Sequence, residues 1–465
     1  MNNQPTPTHH RIVPIALIIL GLPIGVFVGF LLVANIFFHD EQPPNDAALV
    51  LPDINVSTTA NAFTDIQKLD PDVRAADPDL DEPYTDEKVD AMLAGGTWDE
   101  AYVTAIVKKY GQAITDFRTA ASQPVYQDPA TARPSQLDNN YIPDVARSVR
   151  YISKIIAIEA VQKAKSGDVS GALTEAQEII RLGDLMESGQ GTLIEWLVGG
   201  SIKHIGLAAD RQIALETSLT AEQARATSLG LESYRGTPDG LVRALKLEYA
   251  YTKNYVSQRH DLGQIYDSFF LVVNSDDNSV VHRSTTGKVI SALDATGVTR
   301  FYYWPNQSWR FLVDRRLQDI QLAEADCRTA DYTPTQPATY SQRNGLARLI
   351  EPNTIGKLLA DIGSVSLGGA ATKQCNESLA VAATQVALAV SAYRHDQNKL
   401  PTTLEELVPT YLPAVPLDPY NNQPLRYLPA EKLVYSVGPA RNDIGGSPVI
   451  TAWQQQDNPS FAVSK

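Results

Sequence analysis

Cysteine is scarce in this sequence of 465 residues, which contains only Cys327 and Cys375. There is no C-x-x-C pair, and the histidines never occur at H-x-x-x-H spacing, so the ligand patterns typical of zinc sites are missing. The sequence also lacks a glycine-rich phosphate loop and the G-x-S-x-G turn that presents the nucleophilic serine of many hydrolases. These absences predict that the protein has no metal site, no cofactor and no catalytic residue.

Positive charge is also scarce, and no stretch of the chain is rich in lysine or arginine. The 39 basic residues face 53 acidic ones, which gives a formal net charge of −14 at pH 7. Because phosphate neutralisation dominates the affinity of proteins for nucleic acids, this balance argues against a nucleic-acid partner. It argues equally against adsorption to anionic lipid through a basic face.

The sequence does contain one long apolar run, residues 12–38, which carries no formal charge. A helix of about 20 apolar residues already crosses the hydrocarbon core of a bilayer, so we predict a transmembrane helix over 12–38. Arg11 precedes this run and Asp40 and Glu41 follow it, which places residues 1–11 in the cytoplasm by the positive-inside rule. The expected location is the bacterial inner membrane, with a single span and a periplasmic body. A cleaved signal peptide is the alternative, but its apolar part is usually only about 7–15 residues long.

After the apolar run the composition changes twice. Residues 39–84 are acidic and rich in proline, which predicts an extended, self-repelling tether in which only Ala60–Leu69 could form a short helix. Over residues 85–372, apolar residues recur at three- and four-residue steps, which predicts a mainly α body built as an irregular bundle of αα-hairpins. Residues 166–168, Ser-Gly-Asp, predict one hairpin turn, and Thr192 with Glu195 predicts a capping box at the start of the most apolar helix.

The last part of the chain, residues 373–465, predicts a small α+β module. Apolar residues on one face continue a helix to about residue 398, and Thr403 with Glu406 predicts a one-turn helix after it. Residues 425–428 and 433–437 then predict a β-hairpin.

The order of these features over Ala392–Gly446 resembles the C-terminal half of the major pseudopilin of type II secretion systems. A helix end, a proline, a threonine cap, and a D-P pair before a small sheet ending in Y-S-x-G-P carry the resemblance. It implies an extracytoplasmic location and a role in assembly or secretion. Where that family has an acid-rich calcium loop, this sequence offers Asn442 and Asp443, and a calcium-dependent tail stays open as an option.

The chain as a whole also resembles a broad set of bacterial membrane-anchored proteins with helical bodies. The resembling segments are T-L-I-x-x-L-V at Thr192–Val198, P-N at Pro305–Asn306 and N-x-x-G-K-L-L at Asn353–Leu359. This resemblance implies a membrane-anchored chain with a helical body, and it implies no activity.

Two groups of residues leave more than one interpretation open. Cys327 and Cys375 form either a disulfide in an oxidising compartment or two unpaired buried thiols. Glu195 has apolar neighbours, which raise the pKa of a carboxylate and suit it to acid–base chemistry. It could instead cap its own helix or pair with Lys203, which lies eight residues further on.

From these features we predict a non-enzymatic, membrane-anchored scaffold or binding protein that works with other envelope proteins in assembly or secretion. The alternative is a helical envelope enzyme that uses Glu195 and Glu248 as a carboxylate pair. That alternative requires the two carboxylates to face one concave pocket.

Overall fold

A computed structural model describes most of the chain outside its N-terminal segment. The described residues are 39–57, 59–78, 84–137, 146–257, 285–295, 301–331, 351–357, 368–449 and 456–465, with residues 25–27, 29, 30, 33, 36, 37, 141, 263 and 454 besides. The predicted transmembrane helix over 12–38 lies for the most part outside them. Among the helices that can be described, none combines the length and the apolar character needed to cross a membrane.

The chain divides into two compact units. The first comprises Met1–Ala48, Thr252–Arg315 and Thr335–Val365, and the second comprises Leu49–Tyr251, Arg316–Pro334 and Ser366–Lys465.

The prediction of a mainly α chain is confirmed. The α-helices are α1 Ala62–Ile66, α2 Leu69–Ala76, α3 Glu87–Leu93, α4 Glu100–Lys109, α5 Gly111–Ser122, α6 Ala146–Lys165, α7 Val169–Ser188, α8 Leu193–Glu216, α9 Ala221–Leu231, α10 Pro238–Ser257, α11 Thr285–Ala295, α12 Pro305–Glu324 and α13 Gly368–Gln397. The strands are β1 Arg426–Leu428, β2 Leu433–Tyr435 and β3 Ser460–Ala462.

Local sequence signals set the ends of the central helices. Gly167 adopts a φ of 99°, which favours glycine, and the Asp168 side chain accepts a hydrogen bond from the backbone N–H of Gly171. The predicted turn between α6 and α7 is therefore confirmed. The predicted capping box is confirmed as well, because the Thr192 side chain accepts from the Glu195 backbone while the Glu195 side chain accepts from the Thr192 backbone.

Glycines allow α7 and α8 to pack at very short distance. A Cβ atom added to Gly183 of α7 would lie 2.5 Å from the carbonyl oxygen of Gly199 on α8. A Cβ atom added to Gly199 would in turn lie 2.7 Å from the carbonyl oxygen of Gly183. A Cβ atom added to Gly206 would lie 2.6 Å from the Ile180 side chain. The two backbones therefore approach more closely than larger residues would permit, and this helix pair forms the centre of the second unit.

The structure differs from the predicted extended tether over part of residues 39–84. Residues 62–66 and 69–76 are helical, and Phe63, Ile66 and Leu69 are buried in the core. Several acidic side chains of this segment have partners, for example Asp70, which accepts a 2.5 Å hydrogen bond from the Tyr84 hydroxyl. Burial of the apolar residues and pairing of the acids outweigh the charge repulsion in this segment.

The C-terminal segment shares its core with the preceding helices. The predicted hairpin is confirmed by β1 and β2, which are antiparallel with Tyr427 opposite Val434, and β3 adds a third antiparallel strand on β2. The predicted boundary at residue 373 falls inside α13. This helix packs against α8 and α9, and Leu379 and Val390 belong to the same buried cluster as Phe63.

In the first unit, two of the segments that carry the wider sequence resemblance contact each other. The Asp40 carboxylate accepts hydrogen bonds from the backbone N–H groups of Asn306 (2.9 Å) and Gln307 (3.0 Å), so it caps α12 from a distant part of the chain. The Asn353 side-chain oxygen accepts from the backbone N–H of Trp304 at 2.9 Å. The P-N helix start and the N-x-x-G-K segment thus form one local structure.

Candidate functional site

The most polar buried cluster surrounds Lys203 of α8, whose side chain is only 1% exposed. Its ammonium nitrogen lies 3.0 Å from Asp184 Oδ1 and 3.4 Å from Glu377 Oε2, and it also contacts Glu187 Oε2. We call these four residues the Lys203 centre. Helices α7, α8 and α13 each contribute to it, so it ties three helices together by charge.

The two glutamates of the Lys203 centre have pKa values that are shifted in opposite directions. Burial raises the pKa of Glu187, and the neighbouring charge of Glu377 raises it further. Burial acts in the same direction on Glu377, but the charge of Lys203 opposes it, and the pKa of Glu377 lies below its ordinary value. Glu187 Oε1 has no hydrogen-bond partner among the described residues, whereas Glu187 Oε2 contacts the Lys203 ammonium. Lys203 is therefore the cation that pairs with both buried glutamates.

Glycine backbones close the Lys203 centre from the side. A Cβ on Gly200 would lie 2.6 Å from Glu187 Oε1, and a Cβ on Gly236 would lie 2.9 Å from Glu377 Oε2. A small pocket that reaches Trp196 and Thr237 adjoins the centre. The tight packing indicates a structural cluster, since it leaves little space for a substrate.

A second pair of carboxyl groups lies at the N-terminus of α8. The Tyr126 hydroxyl donates to Glu195 Oε1, and the Thr192 backbone N–H and hydroxyl donate to Glu195 Oε2 at 2.6 and 2.8 Å. Burial and the charge of Asp128 raise the pKa of Glu195 to about 7 against these hydrogen bonds. Burial also raises the pKa of Asp128, although hydrogen bonds from Tyr141 and Glu195 oppose the change. Burial thus raises the pKa of both carboxyl groups.

An open pocket of about 110 Å³ lies near Glu195. Gly191 lies in its wall, and a Cβ added there would lie 3.1 Å from Glu195 Oε2. Across the pocket are Arg243 and Leu247 of α10, and the extended segment before α1 contributes Ile54. We call this the Arg243 pocket.

The structure resolves the interpretations left open for Glu195. Its capping role is confirmed, whereas the ion pair with Lys203 is wrong because Lys203 pairs with carboxylates of α7 and α13. Glu248 has a different environment, in which burial raises the pKa of its carboxyl and the charge of Arg316 lowers it. The carboxylate whose charge raises the pKa of Glu195 is Asp128. Asp128 could not be found from the sequence, because no spacing rule links residues so far apart.

Cys327 and Cys375 form a disulfide with a Cα–Cα distance of 5.9 Å. It joins α13 to the segment that follows α12. The Arg441 guanidinium of the tail donates to the carbonyl oxygens of Cys327, at 3.0 Å, and Ala330. The bridge therefore lies where three parts of the second unit meet.

The two residues considered for calcium have protein partners. The Asp443 carboxylate accepts from the guanidinium of Arg426 and, at 3.2 Å, from the Tyr435 hydroxyl. The backbone carbonyl of Asn442 accepts from the Asn458 side chain at 2.7 Å. Within the described part of the chain, no group of three or more histidine, cysteine, aspartate or glutamate side chains is arranged to hold a metal ion.

Comparisons with protein-family models, with curated proteins and with solved structures found no match to this chain.

Proposed function

We propose that the protein is a membrane-anchored extracytoplasmic scaffold or binding protein of a bacterial envelope, with a role in assembly or secretion. The observation that carries the proposal is the Cys327–Cys375 disulfide, because such bonds form and persist mainly in oxidising compartments. It agrees with the apolar run over 12–38 and with the resemblance of the tail to pseudopilins. The anchor would hold the two units on the periplasmic face of the inner membrane.

The buried charges support a scaffold role. Glu377 and Glu187 both contact Lys203, and glycine backbones lie against both carboxyl groups. Groups arranged in this way hold helices in register, and removing one partner is costly because the other charge stays buried. The role of these charged groups is therefore to stabilise the fold.

Cross-linking in intact cells tests the proposal. A photoreactive amino acid at Ile444, which is 58% exposed in the tail, should yield a reproducible cross-link to another envelope protein. Leu229 of α9, which is 53% exposed, serves as the matched control position and should yield none. Repeated experiments without a specific product at Ile444 would count against an assembly role for the tail.

A second candidate function is an envelope enzyme in which Glu195 acts with Asp128. The specific observation in its favour is the buried Glu195 carboxyl, whose pKa is raised to about 7 and whose Oε2 would lie 3.1 Å from a Cβ on Gly191 in the wall of the Arg243 pocket. The purified full chain would be tested on chromogenic esters, glycosides and peptides. Turnover that is lost in Glu195→Gln and kept in Glu222→Gln, a surface control on α9, would support this candidate. Absence of turnover with all three substrate classes would contradict this candidate function.

A further inference from the structure

The Arg243 pocket contains a cation whose charge is only partly compensated. The Arg243 guanidinium donates through Nη1 to the carbonyl oxygens of Ser188, at 2.7 Å, and Gly189. Within the described chain no carboxylate forms an ion pair with it, and burial lowers its pKa. One edge of the guanidinium is thus used to cap the C-terminal end of α7, while the Nε and Nη2 edge makes no hydrogen bond to the residues described.

A second polar group of the same pocket is also available to a ligand. The side-chain amide of Gln190 lines the pocket and makes no hydrogen bond within the described residues, because only the backbone of Gln190 is engaged. A guanidinium edge matches the two oxygens of a carboxylate, and an amide N–H can add a third donor. The polar side of the pocket therefore has the donors that a carboxylate needs.

The rest of the wall is largely aliphatic. Leu51, Ile54 and Leu247 line it, and its volume of about 110 Å³ limits a ligand to a small molecule. A ligand that fits must therefore combine an anionic end with an apolar body.

We propose that the Arg243 pocket binds a monocarboxylate with a short aliphatic body, its carboxylate on the guanidinium of Arg243 and its aliphatic part against Ile54 and Leu247. Two sources offer this chemistry, a free branched-chain acid and the C-terminal carboxylate of a peptide that ends in an aliphatic residue. The proposal concerns the purified chain alone and stands apart from the scaffold role.

Titration of the full chain in nonionic detergent with 4-methylpentanoate and with N-acetyl-leucine, followed by calorimetry, tests the proposal. At least one of the two acids should bind, and its amide should bind at least tenfold more weakly. Binding of 4-methylpentanoate alone would identify a free acid, and binding of N-acetyl-leucine alone would identify a peptide terminus. Failure of both acids, or equal binding of acids and amides, would overturn the proposal.

Three variants connect the binding to the pocket. Arg243→Gln should weaken binding of the acid at least tenfold. Arg181→Gln removes a guanidinium that likewise contacts helix-terminal carbonyls, those of Ser122 and Gln123, but lies outside the pocket, and it should bind as the wild type does. Ile54→Trp fills the pocket and keeps the guanidinium, so it should also weaken binding, even if Arg243→Gln fails to fold. Unchanged affinity in a folded Arg243→Gln or in Ile54→Trp would contradict the assignment.

Discussion

Lys203 of α8 and Glu377 of α13 form an ion pair in the core, with 3.4 Å between Nζ and Oε2, although 174 residues separate them in the sequence. Both side chains are at most 2% exposed, so neither charge is solvated by bulk water. The C-terminal helix is thereby attached to the centre of the helical body by an interaction that an incorrectly docked helix could not make.

We expect Lys203→Met to destabilise the protein by about 3–5 kcal/mol, because Glu377 would be left as an uncompensated buried charge. Urea denaturation followed by circular dichroism measures the effect. The control is Lys88→Met, which removes an exposed pair with Asp99 and should cost less than about 1 kcal/mol. Equal effects of the two substitutions would show that the buried ion pair contributes no more to stability than the exposed one does.

We expect Gly183→Ala to destabilise the protein by about 1–3 kcal/mol, because its methyl group would overlap the Gly199 backbone and separate α7 from α8. Gly111→Ala is the matched control in α5, where an added Cβ meets no atom within 4 Å. It should leave stability unchanged or raise it by up to about 1 kcal/mol, since alanine favours helix more than glycine does. Thermal unfolding measures both, and the same sign for the two variants would contradict the packing described for α7 and α8.

The pH dependence of stability should change in Glu195→Gln. The folded-state pKa of Glu195, about 7, exceeds the ordinary value of 4.5, so the folded protein binds more protons than the unfolded chain between these pH values. This group therefore makes stability fall as pH rises from about 4.5 to 7, with a slope of up to about 1.4 kcal/mol per pH unit. Glu195→Gln should flatten the profile in that window relative to the wild type, as measured by denaturation at several pH values. A profile parallel to that of the wild type would show that Glu195 has no raised pKa.

Mass spectrometry without reductant should recover Cys327 and Cys375 in one disulfide-linked peptide pair. Replacing both by serine should cost about 4 kcal/mol of stability, the chain-entropy value for a loop closed over 48 residues. Recovery of two alkylated thiols from the native protein would contradict the bridge and remove the main support for an oxidising compartment.

Features encoded by neighbouring residues were predictable from the sequence. The turn at Gly167 and the capping box of Thr192 and Glu195 depend on residues within a few positions of each other. The hairpin of β1 and β2 likewise follows from local alternation and a short turn, and all three predictions are confirmed.

Features that depend on tertiary contacts were missed. The acids and prolines of residues 39–84 favoured an extended tether with at most a short helix at 60–69, yet helical structure continues to residue 76 and Phe63 and Leu69 belong to the buried core. The partners of Lys203 and Glu195, namely Glu377 and Asp128, lie far away in the sequence and are brought close only by the packing of helices. Strand β3 was missed because it pairs with β2 across the loop that separates them.

The most direct test of the proposed anchor and location is protease accessibility of the full chain in spheroplasts, with a cytoplasmic protein as the protection control. The account predicts that added protease digests the two units while the control stays intact, and that the chain sediments with the inner membrane before digestion. Protection of both units in intact spheroplasts, or recovery of the undigested chain from the cytosol, would contradict it.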